Sequence, residues 1–408
     1  MSLLGASFGA PSAWAGGYDT PILYSAEHMG MGGAAISYVD DPSAMFHNPA
    51  GLARTHGLTL MANASILFGT ITSTPTDFSG TVESEGILSV APLIGASYRF
   101  SDVFAAGIAL YPVAAAGAEY FIEAGNEVLR EFTQVTFIEI SPGVAFKLPG
   151  NVRLGLGYRI SLVSLDRIRK STTNPNNVTF DSQLSGANFA GFRLGVNWDP
   201  IPELQLGFVY RHKTDTTIDT DKGDVPVQRD VAVETDFVLP TQLGFGARVN
   251  LKPISFLLDL QYTLQSENDE LVFKTTPPSG LVINSVFKWL DNVTVRAGVE
   301  YQVEASPTDV WMFRGGFIYD GQVNREEYPS AFGTPPTGTT TITGGIGYEH
   351  AKTWKANLAF AHRSGSATVR QSVIDAADAD RNCLACSEGG DYNITLTGIY
   401  LDFAYSFL

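Results

Sequence analysis

The chain has 408 residues, of which 44% are hydrophobic and 17% are charged, and its formal net charge is −16. This acidity argues against nucleic acid as a partner, because phosphate binding requires a basic surface. No stretch approaches eighteen consecutive apolar residues, which argues against a membrane protein built from helices.

The first fifteen residues are rich in apolar and small side chains and end in Ala13-Trp14-Ala15. This stretch resembles the apolar core of a secretory signal with an A-x-A cleavage site, although the basic residues that normally precede such a core are missing. We interpret residues 1–15 as the remnant of a signal peptide, with the mature protein starting near Gly16. Export of the chain follows from this interpretation.

Fourteen segments between residues 57 and 408 have an apolar side chain at about every second position. Successive side chains of a β-strand point to opposite faces, so these segments are predicted as strands with one apolar face. In one of them, Leu154 and Leu156 fall on the apolar face while Arg153 and Arg159 fall on the other.

The connections between these strands alternate between short turns and long polar stretches. A soluble β-protein has no reason to sort its loops in this way, whereas outer-membrane barrels have short periplasmic turns and long outer loops. The sequence therefore predicts an all-β, transmembrane antiparallel barrel of about fourteen strands over residues 57–408. It would lie in the cell outer membrane of a Gram-negative bacterium with both termini in the periplasm.

Eight arginines fall on the predicted inner face of the barrel. A charge on the lipid-facing side would cost about 2–4 kcal/mol near the membrane midplane, so the inner face is the favourable place for them. Two explanations remain open: the arginines pair with acids and with an internal plug, or some of them attract an anionic ligand. They are Arg153, Arg159, Arg193, Arg211, Arg248, Arg296, Arg314 and Arg363.

The two cysteines, Cys383 and Cys386, form an isolated C-x-x-C in a polar loop. In an exported chain this pattern favours a disulfide, with a redox motif as the alternative. Two thiols cannot complete a tetrahedral zinc site, and the six histidines show no metal-ligand spacing. We expect no metal and no cofactor, and the absence of a G-x-S-x-G nucleophile elbow gives no reason to expect an enzyme.

Residues 16–56 do not alternate like a strand and are too few for an independent domain, so they need another surface to pack on. Two stretches, MGMGGAA at 29–35 and DDPSAMFHNPAGL at 40–52, resemble the N-terminal hatch of the FadL-like family of outer-membrane long-chain fatty-acid and hydrophobic-compound transporters. The NPAGL run that follows S-A-x-F is the most specific part. The resemblance implies that residues 16–56 plug the barrel lumen.

The resemblance also implies passive uptake of long-chain fatty acids or other hydrophobic compounds, with a lateral exit through the barrel wall gated by the hatch. The hatch residues along the ligand path are then Phe46, Asn48, Pro49 and Ala50.

In this family a kink in the third strand opens the exit, and the third predicted strand here contains Gly107 and Pro112. Proline cannot donate to a sheet ladder, so a local break has a physical basis, and a harmless proline near the outer rim is the alternative. The connection that follows is predicted as an outer loop with a short amphipathic helix. Its Tyr120, Phe121 and Ile122 would either capture a hydrophobic ligand or pack on the barrel rim.

We therefore expect a monomeric transporter whose partners are a hydrophobic small molecule and the lipid of the outer membrane. The alternative function is a protein-docking or secretion shuttle of the same family, with the long acidic loops as the docking surface. A third hypothesis is a barrel enzyme that acts on lipids.

Overall fold

The computed structural model describes residues 24–174, 177–226, 228–275, 280–377 and 386–407. In these ranges the chain forms one closed antiparallel sheet. The strands are β1 Leu58–Pro75, β2 Val82–Glu83, β3 Ile87–Arg99, β4 Phe104–Ala124, β5 Glu127–Leu148, β6 Val152–Ser171, β7 Val178–Ile201, β8 Leu204–Arg211, β9 Thr214–Val225, β10 Gln228–Leu239, β11 Gln242–Leu251, β12 Ile254–Thr263, β13 Glu270–Thr275, β14 Val282–Val286, β15 Asn292–Glu304, β16 Asp309–Asp320, β17 Thr339–His350, β18 Trp354–Val369 and β19 Gly390–Phe407.

Helices are few and short in the described part of the chain, and none of them is long and apolar enough to cross a membrane. The α-helices are α1 Ala26–Gly30, α2 Ala44–His47 and α3 Gln371–Asp375, and the 3₁₀ helices are Pro49–Arg54, Pro149–Asn151 and Gln265–Glu267.

The sheet is a barrel of fourteen strands, as the sequence predicted. Segments β8 and β9, β10 and β11, β12 and β13, and β14 and β15 each continue a single barrel strand, and β2 is a short addition beside β1. Pairing of β1 with β19 runs from Leu58↔Phe407 to Pro75↔Gly390 and closes the ring. This closure joins the first strand to the last, as a membrane-spanning sheet requires.

Burial confirms the predicted assignment of inner and outer faces. The side chains of Leu154 and Leu156 are 41% and 47% exposed, whereas Arg153 and Arg159 are 8% and 0% exposed. All eight arginines predicted for the inner face are buried. An apolar outer band around a polar interior is the surface that a lipid bilayer selects.

The two ends of the barrel differ, although less than the sequence suggested. At one end, here called the short-turn end, two to four residues join each pair of strands. At the other, the long-loop end, several strands continue into the stretches predicted as long polar connections, for example β6 to Ser171 and β9 and β10 through residues 214–239. Their outer faces are mostly polar, as at Asp215 and Thr217, so they lack the apolar outer face by which the other strands were recognised.

The prediction of an outer loop after the third barrel strand is wrong. β4 continues to Ala124 and β5 starts at Glu127, so Tyr120, Phe121 and Ile122 are strand residues that pair with β5. Gly125, whose φ is +65°, provides the tight turn between the two strands. Alternating side chains in this hairpin were mistaken for the pattern of a short helix.

Candidate functional site

The N-terminal segment, residues 24–55, lies inside the barrel and touches its wall on all sides. The side-chain amide of Asn48 donates to the carbonyl of Val196 in β7 at 3.2 Å. On another side, the carboxylate of Asp259 in β12 accepts the backbone N–H of Ala35 at 2.7 Å. The segment is therefore tied to strands that are far apart in the sequence, and it fills a cross-section of the lumen.

Glycines on the inner face make room for this segment. A Cβ atom at Gly155 would overlap the backbone of Pro49 and Ala50, and one at Gly195 would overlap the side chain of Asn48. Cβ atoms at the other inner glycines would also come too close to the N-terminal segment. The missing side chains therefore leave the space that the segment occupies. The glycines that face the segment are Gly95, Gly107, Gly143, Gly155, Gly157, Gly195, Gly207, Gly244, Gly246, Gly298, Gly316 and Gly345.

The wall has a stretch without β-pairing between β3 and β4. Pairing of the two strands covers only Ile94↔Leu110 to Arg99↔Ala105. Beyond Leu110, β4 still pairs with β5, and β3 still pairs with β1 as far as Ile87. The ladder is therefore interrupted towards the long-loop end, between residues 87–93 of β3 and the part of β4 after Leu110.

Two prolines explain why the ladder stops there. Continuing the register of β3 and β4 by two residues would place Pro92 opposite Pro112, and neither can donate a backbone hydrogen bond. The pairing of β4 with β5 also shifts between Pro112 and Ala114, so Val113 forms a bulge. Pro112 thus lies at the break that the sequence suggested. Gly107 does not, because it pairs regularly with Ser97. Gly107 instead makes room for Leu52 of the N-terminal segment.

Above the N-terminal segment, towards the long-loop end, the inner face changes from polar to apolar. Phe137 of β5 and Phe237 of β10 meet with ring centroids 6.1 Å apart, although other strands stand between β5 and β10 in the sheet. Phe180 and Phe273 form a second such pair at 5.1 Å. The apolar side chains of this region belong to one cluster that also includes Leu93 and Val113 beside the interrupted ladder. A packed apolar cluster therefore extends from the long-loop part of the lumen to the stretch where β3 and β4 are unpaired.

On the lipid-facing side, a depression of about 580 Å³ begins where the β3–β4 pairing ends. Its lining includes small residues such as Ala62 and Ala96 and larger apolar side chains such as Ile94, Leu110 and Phe403. The end of the β3–β4 pairing thus borders an apolar surface on the lipid-facing side.

Comparison with known proteins identifies the architecture. The model of a family described as outer membrane protein transport protein (OMPP1/FadL/TodX) matches residues 6–407. This chain belongs to that family. Its members are transport proteins, so the expectation of a non-enzymatic function agrees with the family.

Solved structures of this family share the fold at low sequence identity. A FadL homologue from Pseudomonas aeruginosa superposes with a TM-score of 0.74 at 15% identity, covering 97% of this chain and 100% of that chain. The toluene transporter TodX of P. putida gives 0.69 at 14% identity, with 94% and 99% covered. The toluene transporter TbuX of Ralstonia pickettii gives 0.69 at 17% identity, with 96% and 100% covered.

One curated relative shares a shorter region with the chain. Over 128 residues the chain is 31% identical to a protein of Neisseria meningitidis serogroup B that is named as an outer membrane protein. The match spans 29% of this chain and 27% of that relative.

In this OMPP1/FadL/TodX member, several of the inner arginines bind acids of the wall, and Arg314 also binds Glu27 of the N-terminal segment. Arg159 and Glu139 form an ion pair in which both side chains are 0% exposed. Asp199 in β7 binds Arg153 of the wall at 2.8 Å and also binds Arg54 at the end of the segment. Arg314 binds Glu300 at 2.8 Å. These contacts favour a structural role for the arginines, as the first of the two explanations proposed.

Three carboxyl groups of the N-terminal segment meet near the short-turn end. Single ligand atoms of Glu27, Asp40 and Asp41 all lie within 4.8 Å of one another. Lys355 of β18 already supplies a positive charge there, since its ammonium lies 3.0 Å from Asp40 and 3.9 Å from Glu27. This group of acids therefore has an ammonium partner from the wall.

The same cluster predicts a pH-dependent stability. Burial, followed by the nearby Glu27 and Asp40 carboxylates, raises the pKa of Asp41 from 3.8 to about 7. The folded protein thus holds this proton more tightly than the unfolded chain, so the contribution of Asp41 to the free energy of unfolding falls as pH rises from about 4 to 7. We expect Asp41→Asn to be more stable than the parent at pH 8, with the difference shrinking towards pH 4. Thermal unfolding in detergent at several pH values measures this.

Asp40→Asn is the matched control for that experiment. Burial alone would raise the pKa of Asp40, but the Lys355 ammonium holds it at about 2. Its contribution to stability is therefore present at pH 8 and lost only in acid, so Asp40→Asn should be less stable than the parent at pH 8. Equal effects of the two substitutions on stability at pH 8 would contradict the opposite pKa shifts of Asp41 and Asp40.

The other predicted site residues take different positions. Phe46, Asn48, Pro49 and Ala50 all lie in the N-terminal segment, where Asn48 also accepts the N–H of Ala50 at 3.1 Å. Tyr120 is 1% exposed and packs on Phe332 of a loop at the long-loop end, with ring centroids 5.2 Å apart.

Near the long-loop end, Phe121 is 48% exposed, and Ile122 is half-buried against the cluster that contains Tyr120. Of the three residues predicted for ligand capture, Phe121 is therefore the exposed one. Cys386 takes part in a disulfide bond, and Cys383 lies outside the described residues.

The sequence analysis missed the inner glycines as a set and the role of Pro92. Each glycine occupies an inner position of its strand, which the alternation alone could have revealed. Pro92 becomes informative only when the register of β3 against β4 is known.

Proposed function

We propose that this protein takes up hydrophobic compounds across the outer membrane and releases them sideways into the bilayer between β3 and β4. The observation that carries the proposal is the apolar cluster that reaches from the long-loop part of the lumen to the stretch of wall where β3 and β4 are unpaired. Release into the bilayer spares the compound a passage through water, which would cost about 0.8 kcal/mol per CH₂ group.

In this proposal the N-terminal segment, as part of a hatch over residues 16–56, blocks passage straight through the barrel. Its contacts on all sides of the lumen support this role. The short-turn end and both chain termini face the periplasm, since β1 begins and β19 ends there. Ligand then enters from the long-loop end, where the exposed Phe121 offers an apolar contact.

The ligand class follows from the lumen and from the relatives together. Long-chain fatty acids fit an apolar path, and so do the monoaromatic compounds named for TodX and TbuX. We propose hydrophobic compounds of either kind as cargo, with Phe46, Asn48, Pro49 and Ala50 beside the route.

Uptake by cells that lack their own transporter tests the proposal. Cells that carry the protein or an empty vector are given radiolabelled toluene or palmitate, with surface levels checked by immunoblot. We expect one or both compounds to accumulate faster in the presence of the protein. If neither compound does so while the barrel is folded at the surface, the transport proposal fails, and capture of exported proteins becomes the function to test.

A further inference from the structure

Three aromatic side chains lie where the N-terminal segment meets the wall opening. Tyr24 and Phe46 belong to the segment, and Tyr111 is the residue of β4 directly before Pro112. The ring centroids are 5.1 Å apart for Tyr24 and Phe46, 5.4 Å for Phe46 and Tyr111, and 6.0 Å for Tyr24 and Tyr111. Both tyrosines are fully buried. The rings thus fill the space inside the opening.

Two hydrogen bonds cross this junction in opposite directions. The hydroxyl of Tyr24 donates to the carbonyl of Pro112 at 2.7 Å, and the hydroxyl of Tyr111 donates to the carbonyl of Met45 at 3.1 Å. Because β3 does not pair with β4 at Pro112, the Tyr24 hydroxyl supplies a donor where the ladder supplies none. The segment and the edge of the opening are therefore held together by side chains and not by the sheet.

Arg193 of β7 strengthens the junction from the lumen side. Its guanidinium donates to the Met45 carbonyl and to the Tyr111 hydroxyl, the latter at 3.2 Å. It also lies over the ring of Phe46, 5.6 Å from the centroid. Phe46 is thus held between two tyrosine rings and a cation, although it remains only partly buried.

We propose that Tyr24, Phe46 and Tyr111 form a latch that closes the wall opening from inside and limits the size of the compounds that leave. The proposal rests on the lateral exit described above. A compound moving from the apolar lumen towards Val113 reaches the ring of Phe46 first. Displacing that ring separates Tyr24 from Pro112 and vacates a space of about one aromatic ring. Cargo with a narrow cross-section, such as a single ring or a single alkyl chain, passes more readily than fused rings.

Tyr24→Phe tests the latch with little change in packing, because it removes only the hydroxyl that binds Pro112. We expect faster backbone hydrogen exchange in the part of β4 around Pro112 to Ala114. We also expect the initial rate of toluene uptake to rise about fivefold, the factor that corresponds to the loss of one hydrogen bond. Tyr392→Phe is the matched control, because it removes a buried tyrosine hydroxyl that donates to the carbonyl of Glu388, outside the latch.

Phe46→Ala tests the size limit. The uptake rate of pyrene relative to toluene should rise severalfold in this variant and stay unchanged in Tyr392→Phe. Unchanged exchange in Tyr24→Phe, or a pyrene-to-toluene ratio unaffected by Phe46→Ala, would overturn the latch. If the parent protein takes up neither compound, the transport proposal fails, and hydrogen exchange alone then decides whether the latch exists.

Discussion

Replacing Gly155 by alanine is expected to unseat the N-terminal segment. The new methyl group would overlap backbone atoms of Pro49 and Ala50, which cannot rotate away as a flexible side chain could. Overpacking in a well-packed interior typically costs about 1–3 kcal/mol, and here the main chain itself has to move. Released residues would expose the bond after Arg54 to trypsin. Cleavage kinetics and the melting temperature in detergent measure the effect.

Gly315→Ala is the control for this experiment. Gly315 also lies within a barrel strand, but the nearest atom to a Cβ placed there is a methyl group of Val299 at 3.8 Å, which is ordinary contact. This variant should melt and resist trypsin like the parent. Equal resistance of Gly155→Ala and Gly315→Ala would show that the segment is not seated against β6.

Breaking the ion pair of Arg159 and Glu139 is expected to have the second large effect. The guanidinium Nε lies 2.7 Å from the carboxylate, and neither side chain is exposed to solvent. Removal of one partner, as in Glu139→Leu or Arg159→Met, leaves an uncompensated buried charge and should cost about 3–5 kcal/mol of unfolding free energy. Unfolding in denaturant with the protein held in detergent gives these values.

The double variant Glu139→Leu/Arg159→Met completes the cycle. It removes both charges and replaces them by apolar groups, so it should be far closer to the parent than either single variant. Arg159 also donates to the carbonyl of His212 at 2.6 Å. Because the double variant loses this hydrogen bond, its unfolding free energy should remain slightly below that of the parent. If the two single effects simply add in the double variant, the pair is not coupled and the interpretation is wrong.

The barrel could be predicted from the sequence because lipid and lumen impose opposite demands on alternate residues. That contrast assigns Leu154 and Arg159 to opposite faces from the sequence alone, and their exposure in the structure agrees. It weakens towards the long-loop end, where β9 (Thr214–Val225) is mostly polar yet pairs with β10 from Thr214↔Leu239 to Thr220↔Val233. Strand ends at the long-loop end were therefore underestimated, and the β4–β5 hairpin was mistaken for a loop.

The candidate site was only partly predictable, because its parts come from distant strands. The family motif located Phe46 to Ala50, but it carries no information on what these residues touch. Pro112 could be singled out since proline disrupts a ladder anywhere. Its counterpart Pro92 and the seating glycine Gly195 acquire meaning only through the register, which brings residues together that lie far apart in the chain.

Closing the wall tests the central claim most directly. A variant that lacks Val113 and carries valine at positions 92 and 112 removes the bulge and restores backbone donors to both strands. Slower backbone hydrogen exchange in β3 and β4 would verify closure, and Gly315→Ala would serve as the control for expression. The lateral route predicts that uptake of toluene and palmitate falls to the level of the empty vector. Uptake equal to that of the parent through a verified closed wall would contradict it.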